Sequence, residues 1–458
     1  MIKEAFRKYL VEAIGEERSL VAFAAFEKQA SVSVRLNPFK PCPEPADAGT
    51  IAWSRHGRIL KERPVFTLDP HFHGGAYYVQ DSSSMFVGHI FRTLAAQINR
   101  PAGRPVRVLD LCAAPGGKTT DLAASLRKVC GDRFILVANE VMKQRAGILA
   151  SNVALWGDPN VVVTSDDPKA FASFDGYFDI ILADVPCSGE GMFRKDEQAR
   201  EQWSEDNVAL CEGRQRRIIA DVWPSLADGG VLVYSTCTFN RYENDGNVKW
   251  IAENLGALPV FVNPESPYHG IISTDHGFSL VPGFVSGEGQ YCSALRKTGK
   301  SQVPHEGRQT RSRAAKDRGV QIPESVKNLF AVDVNLRQRG ETIIALPVSL
   351  SHDIAFLESS LNVIAAGCAA GTVKGKDFIP DADLALSMIL VDGAYPNADV
   401  DVQTALAYLH RDVIRLDDAP KGYVLVTYQG LPLGFVKNLG NRCNNLYPQS
   451  RRIRMDIK

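Results

Sequence analysis

Along residues 106–237, short apolar runs alternate with stretches whose apolar residues recur at helical spacing. VRVLDL, RFILVANE, NVVVTSDD, FDIILADV and GVLVYSTC are strand-length and rich in β-branched residues, as buried strands are. KTTDLAASLRKV and QRAGILASNVALW read as helices between the first three. Such alternation predicts an α/β fold with a doubly wound parallel sheet. Ahead of it, Phe6, Tyr9, Leu10, Ile14, Leu20, Phe23 and Phe26 mark two packed helices. SVSVRLNPF (31–39) then alternates as a strand and stops at Pro38. In YYVQDSSSMF (77–86), Asp81 or a following serine is placed to cap a helix. Arg35 could serve a phosphate or the sheet edge.

Beyond the sheet the pattern breaks up. TIIALPVSL and ADLALSMIL suggest small elements, and VDVQTALAYLHRDV an amphipathic helix. GYVLVTYQGLPLGFVKNLGNRCNNLYP reads as strand, turn, strand and loop, and the final RRIRMDIK as a basic edge strand. The predicted division is an α+β cap at 1–75, the core at 76–297, a basic linker at 298–322 and a C-terminal α+β region at 323–458.

Length agrees, because 458 residues exceed one domain. The longest apolar runs are strand-sized, which argues against a membrane span, and MIKEAFRKYLVEAIGEE lacks an apolar signal core. Nine cysteines are spread singly without a CxxC pair. That predicts reduced thiols in the cytoplasm and no metal site of the zinc-ribbon kind. The formal net charge is zero, so any nucleic-acid contact must come from local patches.

Candidate chemistry sits at the strand ends. The turn DLCAAPGGKTT (110–120) has small residues that let a ligand approach a helix N-terminus. It is not a P-loop, which would need glycine in place of Cys112, and GxGxxG is absent. Glu140 ends the second strand, Asp166 and Asp167 the third, and Asp184 the fourth. Acids there can take the ribose hydroxyls and adenine amine of a cofactor without phosphates. S-adenosylmethionine fits, and ATP and NAD fit worse. Cys187 and Cys237 follow the fourth and fifth strands, and Asp184 lies three residues before Cys187. Two thiols and an acid at one sheet edge suggest covalent catalysis.

DLCAAPGGKTT, ANE, DVPCSGEGMFRKD and YSTCTFNRYEN resemble the motifs of the NOL1/NOP2/Sun family of RNA cytosine-C5 methyltransferases. GEGMFRKD and the C-terminal region resemble its bacterial 16S rRNA methyltransferase F group. The resemblance implies a Rossmann-like, S-adenosylmethionine-dependent core and a PUA-like RNA-binding region at about 390–458. It makes Cys237 the nucleophile on cytosine C6, Cys187 the aid to release and Asp184 the partner of N3 and the exocyclic amine. It places the cofactor on Cys112, Ala113, Ala114, Pro115, Gly116, Gly117, Lys118, Glu140, Arg145, Asp167 and Asp184, with no metal. Asp167 is preferred to Asp166 for its offset from Asn160, and Lys118 could touch cofactor or substrate. GFSLVPGFVSGEGQYCSALRK (277–297) resembles the family's closing hairpin. The expected partner is RNA, 16S rRNA or the small ribosomal subunit, bound by a monomer. Arg194 and Lys195 are the better candidates for substrate phosphates, and Arg214, Arg216 and Arg217 read as a solvated face. The alternatives are the same reaction on tRNA or 23S rRNA, or a catalytically silent ribosome-assembly factor. A DNA methyltransferase is disfavoured, because those enzymes lack the second cysteine.

Overall fold

The computed structural model describes residues 2–98, 103–262, 270–299, 322–375 and 377–457. Most of the expected basic linker, 300–321, lies outside the described residues. Five parallel strands centre a ten-stranded sheet: Val106–Asp110, Phe134–Asn139, Val161–Thr164, Phe178–Asp184 and Leu226–Thr236. Val106–Asp110 pairs with Phe134–Asn139 on one side and Phe178–Asp184 on the other. The chain winds outward to Val161–Thr164, then crosses back and winds out to Leu226–Thr236. That reversal opens a cleft beyond the carboxyl ends of the first and fourth strands.

Strand alternation sends side chains to two cores. Val108, Ile180 and Leu182 pack with Leu122, Leu149 and Val153 of the helices Gly117–Cys130 and Lys143–Trp156. Leu109, Ile181 and Ala183 pack with Ile219 and Val222 of Glu205–Val222, and with Val248 and Ile251 of Asn247–Leu255. Both faces are covered, which is why each strand reads as a continuous apolar run. Each large side chain buried this way contributes roughly 1.5–3 kcal/mol, so the strand ends are held by packing from both sides.

Gln290–Lys297 runs antiparallel beside Leu226–Thr236, and Phe278–Leu280 lies beside it, forming the expected hairpin. The far edge was not anticipated. Val363–Ala366, from the C-terminal region, pairs antiparallel with Val161–Thr164. That region also holds two four-stranded sheets, the helices Ser351–Ser360 and Ala382–Leu386, and the amphipathic helix Val402–His410. Among the described residues of RRIRMDIK, 451–457, there is no strand. Their alternation serves anchoring instead: Arg451 Nη1 meets Asp383 Oδ1 at 2.5 Å, and buried Ile453 donates its amide to Leu409 O at 3.1 Å.

At the other end, Glu4–Ile14 and Glu16–Phe26 form the two expected helices. Phe6, Leu10 and Phe26 face inward against Phe193, Trp203 and Phe239 of the core, whereas Leu20 points outward and is 64% exposed. The hairpin's apolar face is therefore narrower than the periodicity suggests. A small antiparallel sheet follows, with Val32–Leu36 between Ser54–Leu60 and Tyr77–Val79. Among the described residues no helix is long and apolar enough to cross a membrane, and no group of His, Cys, Asp or Glu could hold a metal ion.

Candidate active site

The first strand delivers the turn that opens the cleft. Gly116 takes φ 113° just before the helix Gly117–Cys130, a left-handed conformation that other residues adopt at a cost. Arg35 braces this turn and serves neither a phosphate nor the sheet edge. It is buried, and it donates through Nε to Gln80 Oε1 (2.7 Å) and through Nη2 to Thr120 Oγ1 (2.6 Å) and Gly117 O (3.1 Å). Asn139 ties three strand ends together. Its Nδ2 donates to Leu111 O (3.2 Å) and Asp166 O (2.9 Å), and its Oδ1 accepts from Thr164 Oγ1 (2.8 Å) and Asp166 N (3.0 Å).

The predicted acids line one rim. Glu140 is buried, accepts from Met142 N at 3.0 Å and faces Arg145 Nη1 at 3.1 Å. Arg145 Nη2 also donates to Ala114 O at 2.9 Å, joining the turn to the second strand. Asp166 is occupied by the C-terminal region, accepting from Asn362 N at 3.0 Å. Asp167 is exposed, with Oδ1 accepting from Lys169 N at 3.0 Å. Asp184 accepts from Lys118 Nζ (2.8 Å) and Ser235 Oγ (2.6 Å). Lys118 and Arg145 are thus each paired with one of these acids. A rim of carboxylates with its cations already neutralised fits a cationic sulfonium nucleoside, whose ribose and amine supply donors, better than a nucleotide phosphate.

Asp110 lies fully buried under the turn and accepts from Thr119 Oγ1 at 2.7 Å. Burial pushes its carboxyl up to about 7. A raised acid gives stability that is present below the ordinary carboxylate range and is lost as pH rises toward 7. Asp110→Asn is therefore expected to shrink the fall in melting temperature between pH 5 and pH 8 by about 2 °C or more. An unchanged fall in a thermal melt would assign that dependence elsewhere.

The two predicted thiols meet. Cys187 Sγ and Cys237 Sγ lie 3.0 Å apart as free cysteines, and Cys237 N donates to Cys187 Sγ at 3.3 Å. The hydrogen bond to Cys237, then burial, push the Cys187 thiol up. Burial pulls the Lys118 ammonium down, but the charges of Asp184 and then Cys237 outweigh it and hold it up. Gln290 donates Nε2 to Thr236 O at 2.9 Å and steadies the approach to Cys237. Gly191 N donates to Cys237 O at 2.8 Å. A Cβ on Gly191 would sit 2.7 Å from Gly289 O and 2.8 Å from Cys237 O, both backbone atoms. Gly191→Ala is expected to cut methyl incorporation by about 10²-fold through displacement of the Cys237 loop. Full activity in a methyl-incorporation assay would show that the loop can yield.

Several expectations need correction. Arg194 is not available to a phosphate, because its side chain is only 7% exposed and is paired with Glu288 Oε2 at 2.8 Å. Lys195 meets Asp81 Oδ2 at 3.0 Å. The cap position of Ser84–Ala95 falls on a serine after Asp81, Ser83, which makes no side-chain cap bond. Asp81 accepts from Ser83 N (3.0 Å) and Glu288 N (3.1 Å) and ties the start of that helix to the loop before Gln290–Lys297. Pattern reading also passed over Asn139, Ser235, Glu190, Gln215, Asn240 and Glu243, although Glu190 and Glu243 stand inside the two cysteine motifs. Burial pushes the Glu243 carboxyl up to about 7 against its bonds from Ser188 and Asn240, with Glu190 adding to the rise.

A doubly wound sheet with this switch-point cleft defines a Rossmann-like, S-adenosylmethionine-dependent methyltransferase fold. Solved structures of the same fold include a methyltransferase homolog protein from Pyrococcus horikoshii (TM-score 0.54, 24% identity, 64% of this chain and 95% of that one). NSun6 from Pyrococcus horikoshii with SFG also matches (TM-score 0.51, 18% identity, 65% and 99%). Family models match along the chain: the N-terminal domain of 16S rRNA methyltransferase RsmF at residues 2–82, 16S rRNA methyltransferase RsmB/F at 100–296 and the methyltransferase RsmF PUA domain at 395–453. Ribosomal RNA small subunit methyltransferase F of Enterobacter sp. (strain 638) is 31% identical, over 97% of this chain and 95% of its own. The enzyme of the same name from Pectobacterium atrosepticum is 30% identical, over 82% and 77%. The chain belongs to the 16S rRNA methyltransferase RsmB/F family.

Proposed function

We propose that this protein methylates C5 of a cytosine in 16S rRNA through a covalent adduct between Cys237 and C6 of the base. The observation that carries this reading is the pair of thiols 3.0 Å apart at the ends of neighbouring strands, beside the Lys118–Asp184 pair. A single structural cysteine would need neither the second thiol nor the ion pair. The names of the relatives support ribosomal RNA of the small subunit as the substrate, and the PUA-domain match supports RNA binding.

Cytosine C5 is too poor a nucleophile to take a methyl group unaided. Cys237 adds to C6, forming the S–C6 bond and making C5 enamine-like. Asp184, fixed by Lys118 and Ser235, relays the Cys237 thiol proton to N3 and accepts from the exocyclic amine, so that charge does not build on the ring. S-adenosylmethionine would be held by Cys112, Ala113, Ala114, Pro115, Gly116, Gly117, Lys118, Glu140, Arg145, Asp167 and Asp184, and would supply the electrophilic methyl group. Solvent takes the C5 proton, and the N3 proton returns through Asp184 as the S–C6 bond breaks, which restores the aromatic base and the Cys237 thiol. Cys187 Sγ, 3.0 Å from Cys237 Sγ, is placed to donate a hydrogen bond to the departing sulfur. The target base reaches the thiols by leaving its stack.

Bisulfite sequencing of RNA from cells with and without the protein tests this reading. One protected 16S cytosine is expected to be lost in the deletion, restored by the parent gene and not by Cys237→Ala. Loss at a tRNA or 23S position would move the substrate, and no change in any RNA would overturn the assignment.

A further inference from the structure

Two carboxylates beneath the thiols have no part in the chemistry above. Glu190 stands three residues after Cys187 and Glu243 six after Cys237, and both are fully buried. Each reaches across to the other cysteine's loop. Glu190 Oε2 accepts from Phe239 N (2.7 Å) and Asn240 N (3.0 Å), and its Oε1 from Asn240 Nδ2 (2.9 Å) and Trp203 Nε1 (2.9 Å). Glu243 Oε2 accepts from Ser188 N (3.0 Å) and Gln215 Nε2 (2.7 Å), and its Oε1 from Asn240 Nδ2 (2.8 Å). Asn240 Nδ2 is therefore shared between the two acids.

A buried carboxylate is costly unless donors surround it, and two close together repel. Leucine or glutamine would fill the space at less cost. What the acids gain is backbone control. Glu243 holds the amide directly after Cys187, and Gln215, bonded to Glu243, donates to Pro186 O directly before it at 3.0 Å. Glu190 holds the second and third amides after Cys237. Trp203 anchors the pair outward: its ring meets Phe6 and Tyr9 edge-on at 5.6 and 5.5 Å, and Lys3 Nζ donates to Trp203 O at 2.7 Å.

We propose that Glu190 and Glu243 are reciprocal positioning residues, each carboxylate fixing the opposite cysteine's loop, so that together they set the distance between the thiols. This rests on the roles proposed above for Cys187 and Cys237. With the pair intact, both thiols reach one base; without it, the loops part and the second thiol no longer follows the first.

The test compares Glu190→Gln, Glu243→Gln and their double variant with the parent, Cys187→Ala and Cys237→Ala. The full-length proteins are assayed for methyl transfer to 16S rRNA and for trapping on RNA carrying 5-fluorocytosine. Each single variant is expected to keep KM and cofactor affinity within about 3-fold, while kcat and trapping rate fall by about 10²-fold. The double variant is expected to be no worse than the weaker single one, because the two acids act as one unit. Glu243→Asp, which keeps the charge but shortens the reach, is expected to stay impaired. Should Glu190→Gln fail to fold, Asn240→Ser removes the shared donor and carries the same expectation. Parental kcat in these variants, or losses that multiply in the double one, would overturn the proposal while leaving the thiol chemistry intact. Losses of kcat that only track a lower melting temperature and weaker cofactor binding would overturn it too. Methylation by Cys237→Ala would instead overturn the reading on which it rests.

Discussion

Cys237→Ala is expected to lower methyl transfer by roughly 10⁴-fold or more, the scale on which enzymes lose rate when a nucleophile is removed. Its thiol is the one that directly follows the fifth strand, with Cys187 Sγ 3.0 Å away. Cys187→Ala is expected to fail differently. Addition and methyl transfer proceed, release stalls, and RNA stays covalently attached as a slower band that survives denaturing electrophoresis. The two variants therefore separate in a single gel assay. A covalent band in Cys237→Ala, or none in Cys187→Ala, would reverse or remove the assigned roles.

Asp184→Asn is the next largest effect. Asp184 is held from both sides, by Lys118 Nζ at 2.8 Å and Ser235 Oγ at 2.6 Å. Asparagine keeps the size and one acceptor but gives up the charge, leaving the half-buried Lys118 ammonium without its ion pair. Loss of one such preorganised group costs about 10²–10³-fold in kcat, and that range is expected here. Adduct trapping is expected to slow in step, because Asp184 acts at the addition of Cys237. Normal trapping with slow methyl transfer would place Asp184 on the cofactor side alone.

The parallel sheet was legible because each strand is buried on both faces and announces itself as an apolar run of VVVT or FDIILAD kind. The residues that deliver chemistry followed from it, since a cysteine or acid just past such a run must lie at the carboxyl edge. The closing strand Val363–Ala366 was not legible. The strand has only four residues and pairs with a strand about two hundred residues earlier. Likewise Arg194 looked like a free cation because its partner, Glu288, is distant in sequence. Glu190 and Glu243 read as ordinary loop acids, since nothing local distinguishes a solvated carboxylate from one that gathers three or four donors in the interior.

The strand Val363–Ala366 has a practical consequence for anyone who would trim this enzyme to a minimal catalyst. A cut in the 300–321 stretch looks safe on paper, yet it strips the cover from Val161–Thr164 and leaves a row of backbone groups open to any passing strand. It also removes Asn362 from Asp166, beside the expected adenine site. Such a fragment would precipitate or dimerise through its raw margin before its turnover could be measured. The two halves of this chain are stitched together at the seam of the sheet, and they should be made, melted and stored as one piece.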